Sequence, residues 1–137
     1  MKRSHLILAG TILWTTAILS ACGSSGSNSC VDEGNPAGLV IDIVCADPPT
    51  RPFYAWDPNT PISFLEVRRT SNDVVAWSVL ATEGSLPQPI RQGEIPINVQ
   101  HVDGNEADLE AGVEYRISLF DPDHMNYVGQ RTFTILP

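Results

Sequence analysis

The sequence predicts an all-β domain built as an antiparallel sandwich of short strands. Three observations carry that prediction. Beyond residue 60 the apolar residues alternate with polar ones at a period of two, the mark of strands buried on one face. The gaps between these runs hold turn chemistry: Ser71-Asn72-Asp73, Asp103-Gly104-Asn105 and Asp121-Pro122-Asp123. No stretch after residue 30 shows helical periodicity.

Taken in chain order, Leu39-Val40-Ile41-Asp42-Ile43-Val44 is the first apolar segment of the domain. From Ala46 to Pro61 there are five prolines, at 48, 49, 52, 58 and 61, which argue against regular helix or a central strand. Ile62 to Thr70 reads as a strand whose pattern slips between Phe64 and Leu65, as a bulge produces. Val75, Trp77 and Val79 share one face of the next strand, and Ile95, Ile97 and Val99 share a face of another. Pro96 lies on the polar side of that run to Val102 and assigns it to a sheet edge. Val113, Tyr115, Ile117 and Leu119 form a further stripe, and Phe133 and Ile135 the last. Six or seven short strands in about a hundred residues fit a sandwich.

The segment ahead of this domain reads as an address. Lys2 and Arg3 precede an apolar run from Leu6 to about Leu19, the layout of a secretory signal. The run is shorter than the roughly 20 apolar residues a spanning helix needs. Leu19-Ser20-Ala21-Cys22 then resembles the lipobox of bacterial prolipoproteins: a branched apolar residue, two small residues, and cysteine. The resemblance implies that residues 1–21 are removed and that Cys22 receives a diacylglycerol, with a further acyl chain such as palmitate on the freed amine. Several chains hold a protein to a bilayer where one is marginal. The alternative is an ordinary signal cut at an Ala-x-Ala-like site, with Cys22 unmodified.

Residues 22–29 are the tether. Gly23-Ser24-Ser25-Gly26-Ser27-Asn28-Ser29 has the composition of a flexible linker and reaches on the order of 15 Å. In enteric-type lipoproteins an Asp at the position of Gly23 favours the inner membrane. Gly23 therefore implies the outer membrane, with the domain facing the periplasm. Residues 30–137 form the folded domain.

Composition narrows the partners. The eight cations less Lys2 and Arg3 leave six, all Arg, against sixteen carboxylates, a net charge of −10 beyond the leader. Such a chain has no clustered cations with which to neutralise phosphates, so no nucleic-acid binding is expected. Arg68-Arg69 is the one adjacent pair in the mature part and reads as a solvated strand edge. Once Cys22 is lipidated, Cys30 and Cys45 remain, and two leftover cysteines in an oxidising compartment are expected to pair. Such a bridge closes a loop of about fifteen residues and contributes roughly 3 kcal/mol in the chain-entropy model.

Leu109-Glu110-Ala111-Gly112-Val113-Glu114-Tyr115-Arg116-Ile117-Ser118-Leu119 resembles the penultimate strand of fibronectin type III domains, where a Leu, a small residue and Gly lead into a Tyr. The resemblance implies an immunoglobulin-like, fibronectin type III-like β-sandwich. It also implies a corner in which the Tyr115 ring enters the core while its hydroxyl bonds the backbone upstream. Residues 129–135 look like the closing strand. Trp77 would be the core tryptophan, though its place relative to Tyr115 departs from the standard pattern and leaves strand order open. Small bacterial envelope lipoproteins with immunoglobulin-like folds are a second resemblance, which implies location and architecture but no activity.

Candidate chemistry is sparse. No Gly-x-Ser-x-Gly elbow is present, and His101 and His124 both adjoin turns, so no catalytic residues are assigned. Asp121, Asp123 and His124 with Asp103 or Asp108 could supply oxygens to calcium, but the spacing of a calcium loop is lacking and no metal or cofactor is expected. Phe53, Tyr54 and Trp56 are the candidate ligand platform, since aromatics beside prolines can stack on sugars or hold a peptide. The alternative is that they cover the open end of the sandwich. The expected function is a non-catalytic binding or scaffolding module of the bacterial envelope, its partner an envelope protein or a glycan. An assembly lipoprotein that pairs through an edge strand is the second expectation, and a minor envelope enzyme the third.

Overall fold

A computed structural model of the chain describes the backbone of residues 30–32, 39–123 and 127–137, with side chains for the latter two stretches. Cys22, where lipidation is expected, residues 22–29, expected to be a tether, and His124 lie outside the described residues, as does the side chain of Cys30. The described residues contain nine strands and no helix: β1 (Cys30–Asp32), β2 (Val40–Val44), β3 (Phe53–Asp57), β4 (Phe64–Arg69), β5 (Val75–Ala81), β6 (Ile90–Arg91), β7 (Val99–Asp103), β8 (Glu114–Phe120) and β9 (Tyr127–Ile135). They form two antiparallel sheets, one ordered β2-β3-β6 and the other β1-β9-β8-β4-β5-β7. Together these make the predicted immunoglobulin-like sandwich.

Period-two alternation explains how the sheets face each other. In β8, Tyr115, Ile117 and Leu119 are fully buried, while Glu114 points to solvent and Arg116 is half-buried. Register carries this stripe across the large sheet: Leu119 lies opposite Leu65 and Ile117 opposite Val67. Tyr115 lies opposite Phe133. The small sheet answers with Ile41, Ile43, Tyr54, Trp56 and Ile90. Each such side chain, fully buried, contributes about 1.5–3 kcal/mol. The aromatic centre of the core is Phe133, with Tyr115 stacked at 5.9 Å and Tyr54 edge-on at 6.0 Å. Trp77 does enter the core, but from β5, opposite Val67.

The expected corner is present. The Tyr115 hydroxyl accepts a hydrogen bond from the Glu110 N–H at 2.8 Å, five residues upstream. It donates in turn to the Glu106 carboxylate at 3.2 Å.

Four expectations are corrected. The proline-rich stretch contains β3, and β3 is the central strand of the small sheet. Pro52 and Pro58 bracket the strand without entering it, so all five of its residues keep an N–H for the ladder. The bulge of the fourth strand falls between Val67 and Arg68, not at Phe64. Strand β7 is at the sheet edge as Pro96 implied, but it begins only at Val99; Ile95 precedes it in irregular chain and Ile97 in a turn. Arg68 and Arg69 end an interior strand, not an edge. Arg68 is ion-paired to Glu66 and Asp73, and Arg69 to Glu106 and Glu110.

Candidate functional site

Tyr54 and Trp56 belong to the core, so the expectation of a surface platform built on them does not survive. Tyr54 is fully buried and donates from its hydroxyl to Gln92 Oε1 at 2.8 Å. Burial drives its phenol well above the ordinary range. Trp56 is 4% exposed, and its indole N–H is given to the Thr60 carbonyl. Phe53, on the opposite face of β3, is half-buried beneath the Arg91 guanidinium, 4.9 Å from the ring centre. Alternation along β3 decides this, because it sends Tyr54 and Trp56 inward together. They act as core cover, the alternative weighed for them.

The feature that stands out is the β7 edge, one of the two edges of the large sheet among the described residues. Strand β7 pairs only with β5, so one lateral side of its backbone has no strand beside it among the described residues. Around it lie exposed apolar side chains: Ile97 at 89%, Val102 at 49% and Ile95 at 47%. Beside them is a depression of about 190 Å³ lined by Trp77, Gly93, Ile95, His101, Gly104 and Ala107.

The walls of this depression are held by backbone and by buried polar groups. Gly104 sits at φ 76°, where a Cβ would come within 2.4 Å of the Ala76 backbone. Gly93 sits at φ 79°, where a Cβ would meet the Ala107 carbonyl oxygen at 2.8 Å. Only glycine permits both the left-handed backbone and the close approach. Gln92 is fully buried and donates from Nε2 to the Glu106 carbonyl at 2.6 Å. The Glu106 N–H donates to the Ala76 carbonyl at 2.9 Å, and its carboxylate takes two hydrogen bonds from Arg69. Those bonds to Glu106, with a further one to Glu110, hold the Arg69 guanidinium pKa above its ordinary value. At the far end of the loop Arg51 grips Asp108 through two nitrogens and keeps that carboxyl below its usual range. The segment from Gly104 to Asp108 is thus tied to both sheets.

His101 lies on the rim, its Nε2 hydrogen-bonded to the Gly104 carbonyl. Among the described residues no group of three or more His, Cys, Asp or Glu stands close enough to hold a metal ion. Asp108, one of the carboxylates weighed for calcium, is the partner of Arg51. Sequence reasoning marked β7 as an edge but missed Gln92 and Glu106, which organise its surroundings. Their only local signal was the adjacency of Gln92 to Gly93 and of Glu106 to the Gly104 turn. No family model, curated protein or solved structure matches the chain.

Proposed function

We propose that this chain is a lipid-anchored bacterial envelope protein, attached through Cys22, whose domain is a non-catalytic binding or assembly module that engages its partner along the β7 edge. The observation that carries the recognition half is the exposure of Ile97 and Val102 at a free sheet edge, next to a preformed depression. Edge strands offer unpaired backbone donors and acceptors, and partners use them by adding a strand. The burial of Tyr54 and Trp56 removes the rival surface and favours edge pairing over an aromatic glycan platform.

The anchor half rests on the lipobox resemblance of Leu19-Ser20-Ala21-Cys22 and the Gly/Ser tether that follows. Gly23 favours the outer membrane with the domain facing the periplasm. The Cys30–Cys45 bridge belongs to the same proposal. Its support is that Cys45 is disulfide-bonded and that an extracytoplasmic compartment is oxidising. Pairing of Cys30 with Cys45 would tie β1, on one sheet, to the end of β2 on the other.

Two experiments test the proposal. Intact mass of the protein from native membranes is expected to fit cleavage before Cys22 plus acyl chains, with a gain of about two daltons on reduction. An unlipidated mass removes the anchor. Photo-crosslinking residues placed at Ile97 or Val102 are expected to give discrete adducts in intact cells. The same residue at Val40, exposed on the other sheet, is expected to give none; equal labelling at all three positions removes the edge.

A further inference from the structure

We infer that the β7 edge takes an extended cationic segment of another protein, bearing an apolar side chain that seats in the depression beside Trp77 and His101. This rests on the edge proposed above and names the chemistry of its occupant. Three observations select that occupant. The first is charge. All six arginines beyond the leader are engaged within the domain: Arg51, Arg68, Arg69 and Arg116 with carboxylates, Arg91 and Arg131 with backbone carbonyls. No lysine accompanies them, so the surface meets a partner with an excess of carboxylates. Glu94 and Asp103, both exposed, stand at the two ends of the edge region. Complementary charge speeds encounter and rejects like-charged partners.

The same charge argues against a second copy of this chain. Edge-to-edge pairing would bring together two domains that each carry a net charge of −10, a repulsion that opposes self-association.

The second observation is the edge itself. Natural edges are blocked by lysine, proline or bulges. Here Pro96 lies just before β7, and the bulge in its pairing with β5 falls at Ser78/Val79 near its far end. That shift leaves Val102 as the extra residue of the bulge, and ahead of it Gln100 and His101 are exposed, with no lysine or arginine among them. An incoming strand would therefore meet a short unblocked stretch.

The third is the depression. At about 190 Å³ it is on the order of the space one apolar side chain or a benzene ring fills. Its glycine walls and the Gln92–Glu106 clamp hold its shape before any ligand arrives, which lowers the ordering cost of binding.

The test uses the full chain in detergent and three short extended peptides. One alternates arginine with isoleucine, one glutamate with isoleucine, and one arginine with serine. The arginine–isoleucine peptide is expected to bind, with affinity falling as salt rises. Binding is expected to weaken about tenfold in Ile97→Lys and in Val102→Lys. Because Ile97 is 89% exposed, its variant keeps the fold, which a melting curve verifies. If the glutamate–isoleucine peptide binds equally well and both variants weaken it, the edge stands and the cationic occupant is overturned. If the arginine–serine peptide binds equally well, the apolar anchor is overturned. If the arginine–isoleucine peptide binds but neither variant weakens it, the occupant is not at β7 and the inference falls. If no peptide binds, the inference falls as well, and the crosslinking result alone decides the edge.

Discussion

Replacing Tyr115 by Phe removes one oxygen from the middle of the domain and leaves the ring in place. That oxygen accepts from the Glu110 N–H at 2.8 Å and donates to the Glu106 carboxylate at 3.2 Å. Tyr115 is fully buried, so water cannot readily take over from the lost hydroxyl. Losing the bond costs about 1 kcal/mol, and a donor left unsatisfied raises the total to roughly 2–3 kcal/mol. In a domain of about a hundred residues this lowers Tm by some 10–20 °C. Urea titration followed by tryptophan fluorescence measures the change directly. Pairing the variant with Glu106→Gln in a double-mutant cycle isolates the hydroxyl–carboxylate coupling, expected at about 0.5 kcal/mol or more. A loss below about 0.5 kcal/mol for Tyr115→Phe would refute the corner as a stabilising device and leave the resemblance of residues 109–119 a matter of shape alone.

Trp56→Ala is expected to destabilise the domain by about 3–5 kcal/mol, as a core deletion does; an unchanged melting curve would return Trp56 to the surface. Gly104→Ala is expected to cost more than Gly84→Ala. Both glycines have positive φ, but only at Gly104 would the new methyl strike backbone, whereas nothing lies within 4 Å at Gly84. Equal losses in the two urea titrations would mean that the close approach at Ala76 is unimportant. Stability should also fall at alkaline pH. Burial raises the Tyr54 phenol well above 10.0 in the folded chain, so the unfolded chain loses this proton first. The stabilisation is therefore complete below about pH 10 and declines by about 1.4 kcal/mol per pH unit above it. Tyr54→Phe is expected to flatten that decline while weakening the domain at neutral pH through the lost bond to Gln92. A slope unaltered by the substitution assigns the alkaline loss to other groups.

The class of fold was legible in the sequence because sheet burial has a period of two and needs no knowledge of neighbours. Tyr115, Ile117, Leu119, Phe133 and Ile135 were all correctly assigned to the core on that basis. The tyrosine corner was legible for a related reason, since its partner is only five residues away along the chain. Spacing was misleading where a local rule met a boundary. Prolines at positions 52 and 58 argued against a strand, yet they bracket β3 and leave five proline-free residues between them. Alternation likewise placed Ile95 and Ile97 in a strand, although Pro96 keeps the chain out of the ladder until Val99.

What the sequence by itself determined was the alternation that makes strands, the turns that separate them and the excess of carboxylates, alongside the resemblance of Leu19-Ser20-Ala21-Cys22 to a lipobox. Tertiary structure alone decided which aromatics were surface and which were core. Tyr54 and Trp56 are buried because β3 is the middle strand of its sheet and turns this face to the core, where Tyr54 meets Phe133 of the other sheet. Tertiary structure also decided that the arginines are consumed internally, since Arg51 and Asp108, like Arg69 and Glu106, lie far apart in sequence and meet only when the loop after β7 folds back. The physical reason is range. Periodicity and turn preference act between neighbours along the chain, whereas burial and ion pairing depend on which distant segments the fold brings within a few ångströms.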